Sequence, residues 1–308
     1  MNEKSMRQKK LWRDVKKAKS WYLFLLPTVI FLVVFCYSPL YFLQIAFRDY
    51  RITRPVLECD WVGMEYFAEV FKSPGFWDAF RNTLIINSYK LLICFPAPII
   101  LALLMNEIKS DRFNRPIQTI VYLPNFISWI VVANIITNFL AYNGGLFNNI
   151  ITLFGGDPVL FLGEKRYFRG MLVLSDLWKN AGYGMIIYLA ALTGIDPALY
   201  DAADVDGAGR WQKLLRITLP ELSGLIVVML VLNLGGILGG SFDQIQALLD
   251  DRTIPVGDTL ATYVYRVGIT NFRYSFSTAA GLFNSVISAT FLFGSNFFAK
   301  KMGSNSLF

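Results

Sequence analysis

The sequence predicts an all-α integral membrane protein with about six transmembrane helices, and three observations carry that expectation. Hydrophobic residues fill 55% of the 308 positions against 17% charged, with a mean hydropathy of +0.45, far from the balance of a soluble domain. Apolar windows recur at 21–47, 83–105, 117–141, 171–192, 217–239 and 278–298, each near the roughly 20 residues that cross a bilayer. Between them, 16 Lys and Arg fall in 1–20, 106–116, 194–216 and 299–308, and only 11 in the longer alternate pieces. By the positive-inside bias, both ends are then cytoplasmic.

The amino-terminal tail, residues 1–20, carries eight basic residues from Lys4 to Lys19 and suits anionic lipid headgroups. The run that follows, 21–47, is too long for a signal peptide and has no small-residue cleavage site, so it reads as a retained first span. Pro27 and Pro39 interrupt this span, and Pro96 and Pro98 the second, which predicts kinks or broken turns there. The transmembrane domain occupies 21–299, with a cytoplasmic loop at 194–220, and 300–308 form a short cytoplasmic tail. Aromatics at 16%, led by 26 Phe, fit lipid-facing surfaces and the two interfaces. With no His and three Cys, of which Cys36 and Cys94 lie in apolar runs and Cys59 in a polar loop, metal and thiol chemistry lack ligands.

The fourth and fifth spans are joined by a segment with its own design. Asp196 before Pro197 is a helix start, a capping carboxylate followed by a proline at the first helical position. Leu199, Tyr200 and Ala203 share a face, Gly207 permits a sharp bend, and Trp211, Leu214, Leu215 and Ile217 form a second apolar face that Pro220 closes. Two short helices at an angle make a knob whose small residues, Ala202, Ala203, Gly207 and Ala208, allow close approach. Asp201 and Asp206 offer carboxylates to basic groups. A solvated interfacial hairpin satisfies the same pattern.

The string Asp201-Ala-Ala-x-x-Asp206-Gly-Ala, then nine residues, then Thr218-Leu-Pro220 resembles the coupling motif of binding-protein-dependent ABC importer permeases. Asp201 stands where that family usually has Glu, and Leu214 where Phe is common. Asp60-Trp-Val-Gly-Met-Glu-Tyr-Phe before Val70-Phe71, Asn82-Thr-Leu, Tyr122-Leu-Pro124 and Leu177-Trp178 through Leu192 are similar to the carbohydrate-uptake branch, which includes the maltose permeases. Within it, the chain looks most like permeases for fragments of plant or algal polysaccharides.

The resemblance implies a type I importer permease fold in the cell membrane of a prokaryote. Its partners would be a second homologous permease, two cytoplasmic ATPases, an extracellular solute-binding protein and an oligosaccharide substrate; no nucleic acid is implied. Asp201, Ala202, Ala203, Asp206, Gly207 and Ala208 would couple to an ATPase. The chain has no Gly-x-x-x-x-Gly-Lys-Ser/Thr loop, so ATP and Mg would be bound by the partners and this chain would be no enzyme.

Lys90 and Lys179 lie inside predicted spans, about 10 to 12 Å below the outer surface at 1.5 Å per residue. An intramembrane charge is costly and marks a functional site unless it snorkels to the headgroups. Lys179 has Asn180 and Tyr183 beside it, and Asp176 one turn earlier as an alternative partner. By resemblance, Lys179, Asn180 and Tyr183, with Asn233, Gly236, Ile237 and Gly240 of the fifth span, match the sugar-lining region of the maltose permease. A glycine-rich lining and a buried cation point to an acidic oligosaccharide, such as a uronic-acid fragment. Small residues four apart, as in Gly235-Gly236 and Gly239-Gly240, serve helix packing equally well. The outer loops mix Lys165, Arg166, Arg169, Arg252, Arg266 and Arg273 with acids, as solvated loops do, and are where a binding protein would dock.

The rival class is a transporter driven by an ion gradient, built around intramembrane ion sites. The acids within the six windows, Asp176 and Glu221, lie near window ends, which disfavours it. A membrane-embedded hydrolase lacks a carboxylate pair or a His.

Overall fold

The computed structural model describes residues 18–108, 110–239 and 241–301. The basic cluster at 4–17, residues 302–308 and Gly240 lie outside the described residues. Among those described, the regular secondary structure is helical apart from one isolated bridge between Arg48 and Trp61. Four segments, Lys19–Phe47, Pro74–Asn106, Arg210–Gly235 and Tyr274–Lys301, are long and apolar enough to cross a membrane alone, and two bent helix pairs raise the number to six.

The first span begins as α1 (Lys19–Phe31) and passes through a wide turn at Leu32–Tyr37 into a tight 3-10 run at Ser38–Phe47. Irregular backbone therefore appears beside Pro39, as the missing proline donor requires. No residue of α1 is buried, and Trp21 and Phe24 are 74% and 80% exposed. In a bilayer that exposure is solvation by lipid tails or by another subunit, not an unstable surface.

α2 (Glu65–Lys72) packs near the start of the second span. Tyr66 donates to Asp49 at 2.8 Å, a bond that holds the carboxyl below its ordinary value, while burial first and Asp49 second push the phenol up to about 12. The second span is α3 (Pro74–Ile93) and α4 (Pro96–Asn106), separated by a turn at 94–95 where the two prolines predict a break. It starts at Pro74, well before the apolar window, because Asp78, Arg81 and Asn82 dilute the hydropathy of turns whose inner face, Phe76 and Ala79, is fully buried.

The third span is not continuous. α5 (Asp111–Tyr122) runs into a 3-10 turn at Leu123–Phe126, and α6 (Trp129–Phe139) restarts at 99° to it. Ser128 caps the restart, its hydroxyl accepting from the Val131 amide at 3.4 Å. A short helix, α7 (Leu146–Leu153), then leads to α8 (Lys165–Leu192), the fourth span. α8 begins six residues earlier than the window at 171 and so places Asp176 well inside the helix, not near its end.

A 72° bend separates α8 from α9 (Pro197–Val205). The next helix corrects the expectation for Pro220. α10 (Arg210–Lys213), a wide turn at Leu214–Thr218 and α11 (Leu219–Gly235) form one 26-residue helix, with Pro220 inside it. The wide turn carries an extra residue per turn and absorbs the missing donor, so the proline does not end the element.

The segment read as the last outer loop is also structured, as α12 (Phe242–Leu248), α13 (Ile254–Gly257) and α14 (Leu260–Tyr265), before α15 (Tyr274–Lys301). Helices this short leave no hydropathy signal, yet Gln244 and Ile245 are 0% and 1% exposed. Three apolar clusters follow one another along the bundle: Phe76, Leu260 and Phe276; Ile86, Phe168 and Leu172; and Met105, Met185 and Leu222. Between the second and third, a Cβ on Gly182 would stand 2.1 Å from the Val121 carbonyl oxygen. Only glycine lets α8 meet α5 that closely.

Candidate functional site

A cavity of about 610 Å³ opens between α3, α8 and α11. Its walls are largely apolar, and Asn87, Lys90, Asp176, Asn180, Tyr183 and Asn233 supply the polar groups. Lys90 anchors them. It is 8% exposed, and its ammonium donates to Ser241 Oγ and Gln244 Oε1 at 2.5 Å each and lies 3.5 Å from Asp176 Oδ1. Gln244 is held in turn by donating to the Leu172 carbonyl at 2.7 Å and Ser175 Oγ at 2.8 Å. Asp176 accepts from Asn180 at 2.9 Å, and Asn180 Oδ1 accepts from Asn125 at 3.1 Å. One network thus ties α3, α8, α12 and the break in the third span to one wall of the cavity.

Of the residues the sequence points to, Lys90, Asn180, Tyr183, Asn233, Gly236 and Ile237 line the cavity. A Cβ on Gly236 would make ordinary contact with the Asn233 and Leu232 carbonyl oxygens, at 3.7 and 3.8 Å, so packing does not demand a glycine there. Gly235 instead serves packing, since its Cβ would stand 2.7 Å from Leu292. Gly240 lies outside the described residues.

Lys179 does not line the cavity, which corrects the expectation built on it. Its ammonium turns to the third span and donates to the carbonyls of Pro124 at 3.3 Å, Asn125 at 2.7 Å and Ile127 at 2.6 Å, with its charge 5.4 Å from the Trp129 ring. The physical reason is the break itself. Carbonyls released where a helix stops inside a membrane must find donors within the protein, and an ammonium has three to give. Asp176 therefore pairs with Lys90 and not with its neighbour one turn along.

Sequence reasoning passed over Ser241 and Gln244 because they sit in a segment read as loop. A buried Lys90 needs acceptors, however, and that requirement was the available signal.

At the other end, Asp196 caps α9 as expected, its Oδ1 accepting from the Ala198 amide at 2.9 Å. Gly207 holds a φ of +74°, the left-handed backbone that favours glycine, and turns the chain from α9 to α10. Tyr200 bonds to Thr218 Oγ1 at 2.9 Å and Lys213 pairs with Asp204, bracing the two arms. Asp201, Ala202, Asp206 and Gly207 are exposed, while Ala203 and Ala208 are half-buried. Val205 and Trp211, at 89% and 77% exposure, crown the bend as bare apolar side chains. The elbow is thus rigid at its base and open at its tip.

Residues 95–303 match the family described as the binding-protein-dependent transport system inner membrane component. The chain belongs to this family: it is an integral membrane permease of an ABC importer. Protein LplB of Bacillus subtilis (strain 168) is 40% identical, over 96% of this chain and 94% of its own length. The polygalacturonan/rhamnogalacturonan transport system permease protein YteP of the same organism is 38% identical, over 99% and 95%. Among solved structures, a chain of a bacterial ABC transporter involved in the import of the acidic polysaccharide alginate superposes with a TM-score of 0.88 at 41% identity, covering 95% of this chain and 99% of that one. A chain of the bacterial alginate ABC transporter in complex with an alginate pentasaccharide-bound periplasmic protein gives 0.89 at 40% identity, over 97% and 100%. Membership of this family removes the ion-gradient transporter as a rival.

Proposed function

We propose that this permease carries an acidic oligosaccharide, delivered by an extracellular binding protein, through the cavity beside Lys90. The carrying observation is a buried lysine on the wall of a mostly apolar cavity. Its ammonium is shared among two neutral oxygens and one carboxylate that already accepts from Asn180. A sugar carboxylate arriving in the cavity would add a charge-assisted partner without stranding Asp176. Polygalacturonan and alginate, named for two of the similar proteins, are uronic-acid polymers, which supports the same substrate chemistry. Asn87, Asn180, Tyr183 and Asn233 would meet the hydroxyls, and Gly236 would leave width for the ring.

In this reading a second permease closes the far side of the cavity. Two ATPases bind ATP and Mg and seat the elbow of Asp201, Ala202, Ala203, Asp206, Gly207 and Ala208 in a cleft. Both chain ends then face the cytoplasm. The exposed Val205 and Trp211 give the knob an apolar tip, and its carboxylates give it orientation.

The test is uptake into proteoliposomes holding the complete importer, its ATPases inside and loaded binding protein outside. Acidic and neutral oligosaccharides of equal length are compared, and Cys substituted at Val205 is cross-linked to the ATPase. Transport of acids in preference to neutral sugars, lost in Lys90→Met, is the expected result. Equal transport of both by the unaltered chain would defeat the acidic reading, and a Val205 position that reaches no ATPase would defeat the coupling role.

A further inference from the structure

We propose that the groove between α3 and the start of α8 binds one anionic phospholipid on the outer-leaflet side. The groove, about 550 Å³, is lined by Tyr89 and Ile93 of α3 and by Lys165, Arg166, Arg169, Gly170, Val173 and Leu174 of α8. It lies apart from the translocation cavity: α3 presents Asn87, Lys90 and Leu91 to that cavity, and Tyr89 and Ile93, 46% and 48% exposed, to the groove.

The groove is amphipathic along its length. Lys165, Arg166 and Arg169 gather at one end, and among the described residues none of the three forms an ion pair. Arg169 donates only to neutral oxygens, from Nε to the Val256 carbonyl at 3.1 Å and from Nη2 to Asn82 Oδ1 at 2.8 Å. Arg166 lies over the Tyr167 ring, 5.8 Å from its centre. These cations crowd the first turns of α8, where the helix dipole disfavours positive charge. No acidic residue lies in that first turn, and the preceding Glu164 makes no side-chain cap bond. Left bare, the arrangement is unfavourable; an anion resting on it would answer both the charges and the dipole.

From Lys165 the groove runs along α8 to Leu174, about 14 Å at 1.5 Å per residue, close to half of a roughly 30 Å hydrocarbon core. Its walls over that distance, Tyr89, Ile93, Val173 and Leu174, are apolar or aromatic. A soluble polyanion would find partners only at the charged end. A molecule with a phosphate at one end and an acyl chain of one leaflet's depth matches the whole groove. Gly170 leaves the floor free, since a Cβ there would have no atom within 4 Å.

That vacancy supplies the test. Gly170→Leu starts from a Cβ with no atom within 4 Å, extends into the groove and raises helix propensity, and unchanged assembly of the importer is checked beside it. The double variant Lys165→Gln/Arg166→Gln removes the headgroup charges and spares Arg169, which braces Asn82. Native mass spectrometry of the complete importer, titrated with phosphatidylglycerol or phosphatidylcholine, reads the outcome. The unaltered complex is expected to retain phosphatidylglycerol about tenfold more tightly, because both lipids carry the phosphate but the choline cation of phosphatidylcholine sets a like charge beside Lys165 and Arg166. Both variants should bring the two lipids within about twofold of each other. Equal retention by the unaltered complex, as would follow if the second permease covered the groove, overturns the proposal. So does a preference that survives both variants. Sugar uptake is not the readout, so this result is independent of the acidic-oligosaccharide reading.

Discussion

Lys90 and Lys179 are the two lysines inside the bundle, nearly equally buried at 8% and 6% exposure, yet they do opposite work. The Lys90 ammonium reaches side-chain oxygens, from Ser241, Gln244 and Asp176, at the rim of a cavity. The Lys179 ammonium reaches main-chain carbonyls at a helix break, and Lys179 is not among the residues that line that cavity. Side-chain partners can rearrange when a ligand arrives, whereas carbonyls of a broken helix cannot be released without breaking the bend. The difference shows that a buried charge signals function only after its partners are known. A charge that pairs with exchangeable groups is available to a substrate, and one that satisfies backbone belongs to the fold.

The sharpest way to break this contrast is Lys90→Met. If Lys90 meets the substrate carboxylate, uptake of acidic oligosaccharide should fall by about two to three orders of magnitude, the scale of losing one partner of a desolvated charge pair, while uptake of a neutral sugar of the same length changes far less. Parallel losses for both sugars would return Lys90 to a structural role.

Lys179→Met tests the other half. It strips donors from three carbonyls at the 99° bend, at about 1 to 3 kcal/mol for each group left buried and unpaired, less whatever water recovers. Thermal melting of the detergent-purified complex should drop clearly, and all substrates should suffer alike. A selective loss of acid transport in Lys179→Met, with melting unchanged, would exchange the roles assigned to the two lysines.

Gly182→Ala probes the packing that holds Lys179 against the break, because the new methyl would collide with the Val121 carbonyl. Overpacking of this kind costs about 1 to 3 kcal/mol, read as a smaller fall in melting temperature with the acid-to-neutral ratio preserved. Asp176→Asn should have the smallest effect and the opposite sign. Removing the carboxylate 3.5 Å from Lys90 leaves the ammonium freer for substrate, so apparent affinity for acids should rise, by about threefold where Ser241 and Gln244 still hold the ammonium, while the loss of a partner from this largely buried pair lowers the melting temperature. A fall in acid affinity would mean that Asp176 orients Lys90 more than it competes with the substrate.

Much of the architecture was legible because it depends on composition and local chemistry. The six apolar windows, the proline breaks at Pro39 and Pro96, and the Asp196-Pro197 start of α9 each follow from neighbours in the chain. So does the bend at Gly207, whose φ of +74° is one that a glycine flanked by Ala208 and Gly209 makes inexpensive. Asn180, Tyr183, Asn233 and Gly236 were also legible as cavity residues, through the resemblance to sugar permeases and not through hydropathy.

Other features depended on distant contacts. α12 is seven residues long, too short for any window average, and its packing on α6 and α14, with the bonds of Gln244 to Leu172 and Ser175 of α8, is what makes it a helix that delivers Gln244 to Lys90. Pro220 reads as a stop in isolation, but the wide turn before it carries the helix through.

By itself, then, the sequence determined that this chain crosses a membrane about six times, where its helices weaken, and that an elbow with a glycine corner joins the fourth and fifth spans, because hydropathy, caps and backbone freedom are properties of adjacent residues. Which buried lysine faces the cavity was decided only by the tertiary structure. Asn125 is 54 residues from Lys179 and Gln244 is 154 residues from Lys90, and the direction an ammonium takes is set by whichever acceptors the folded bundle brings within about 3 Å of it.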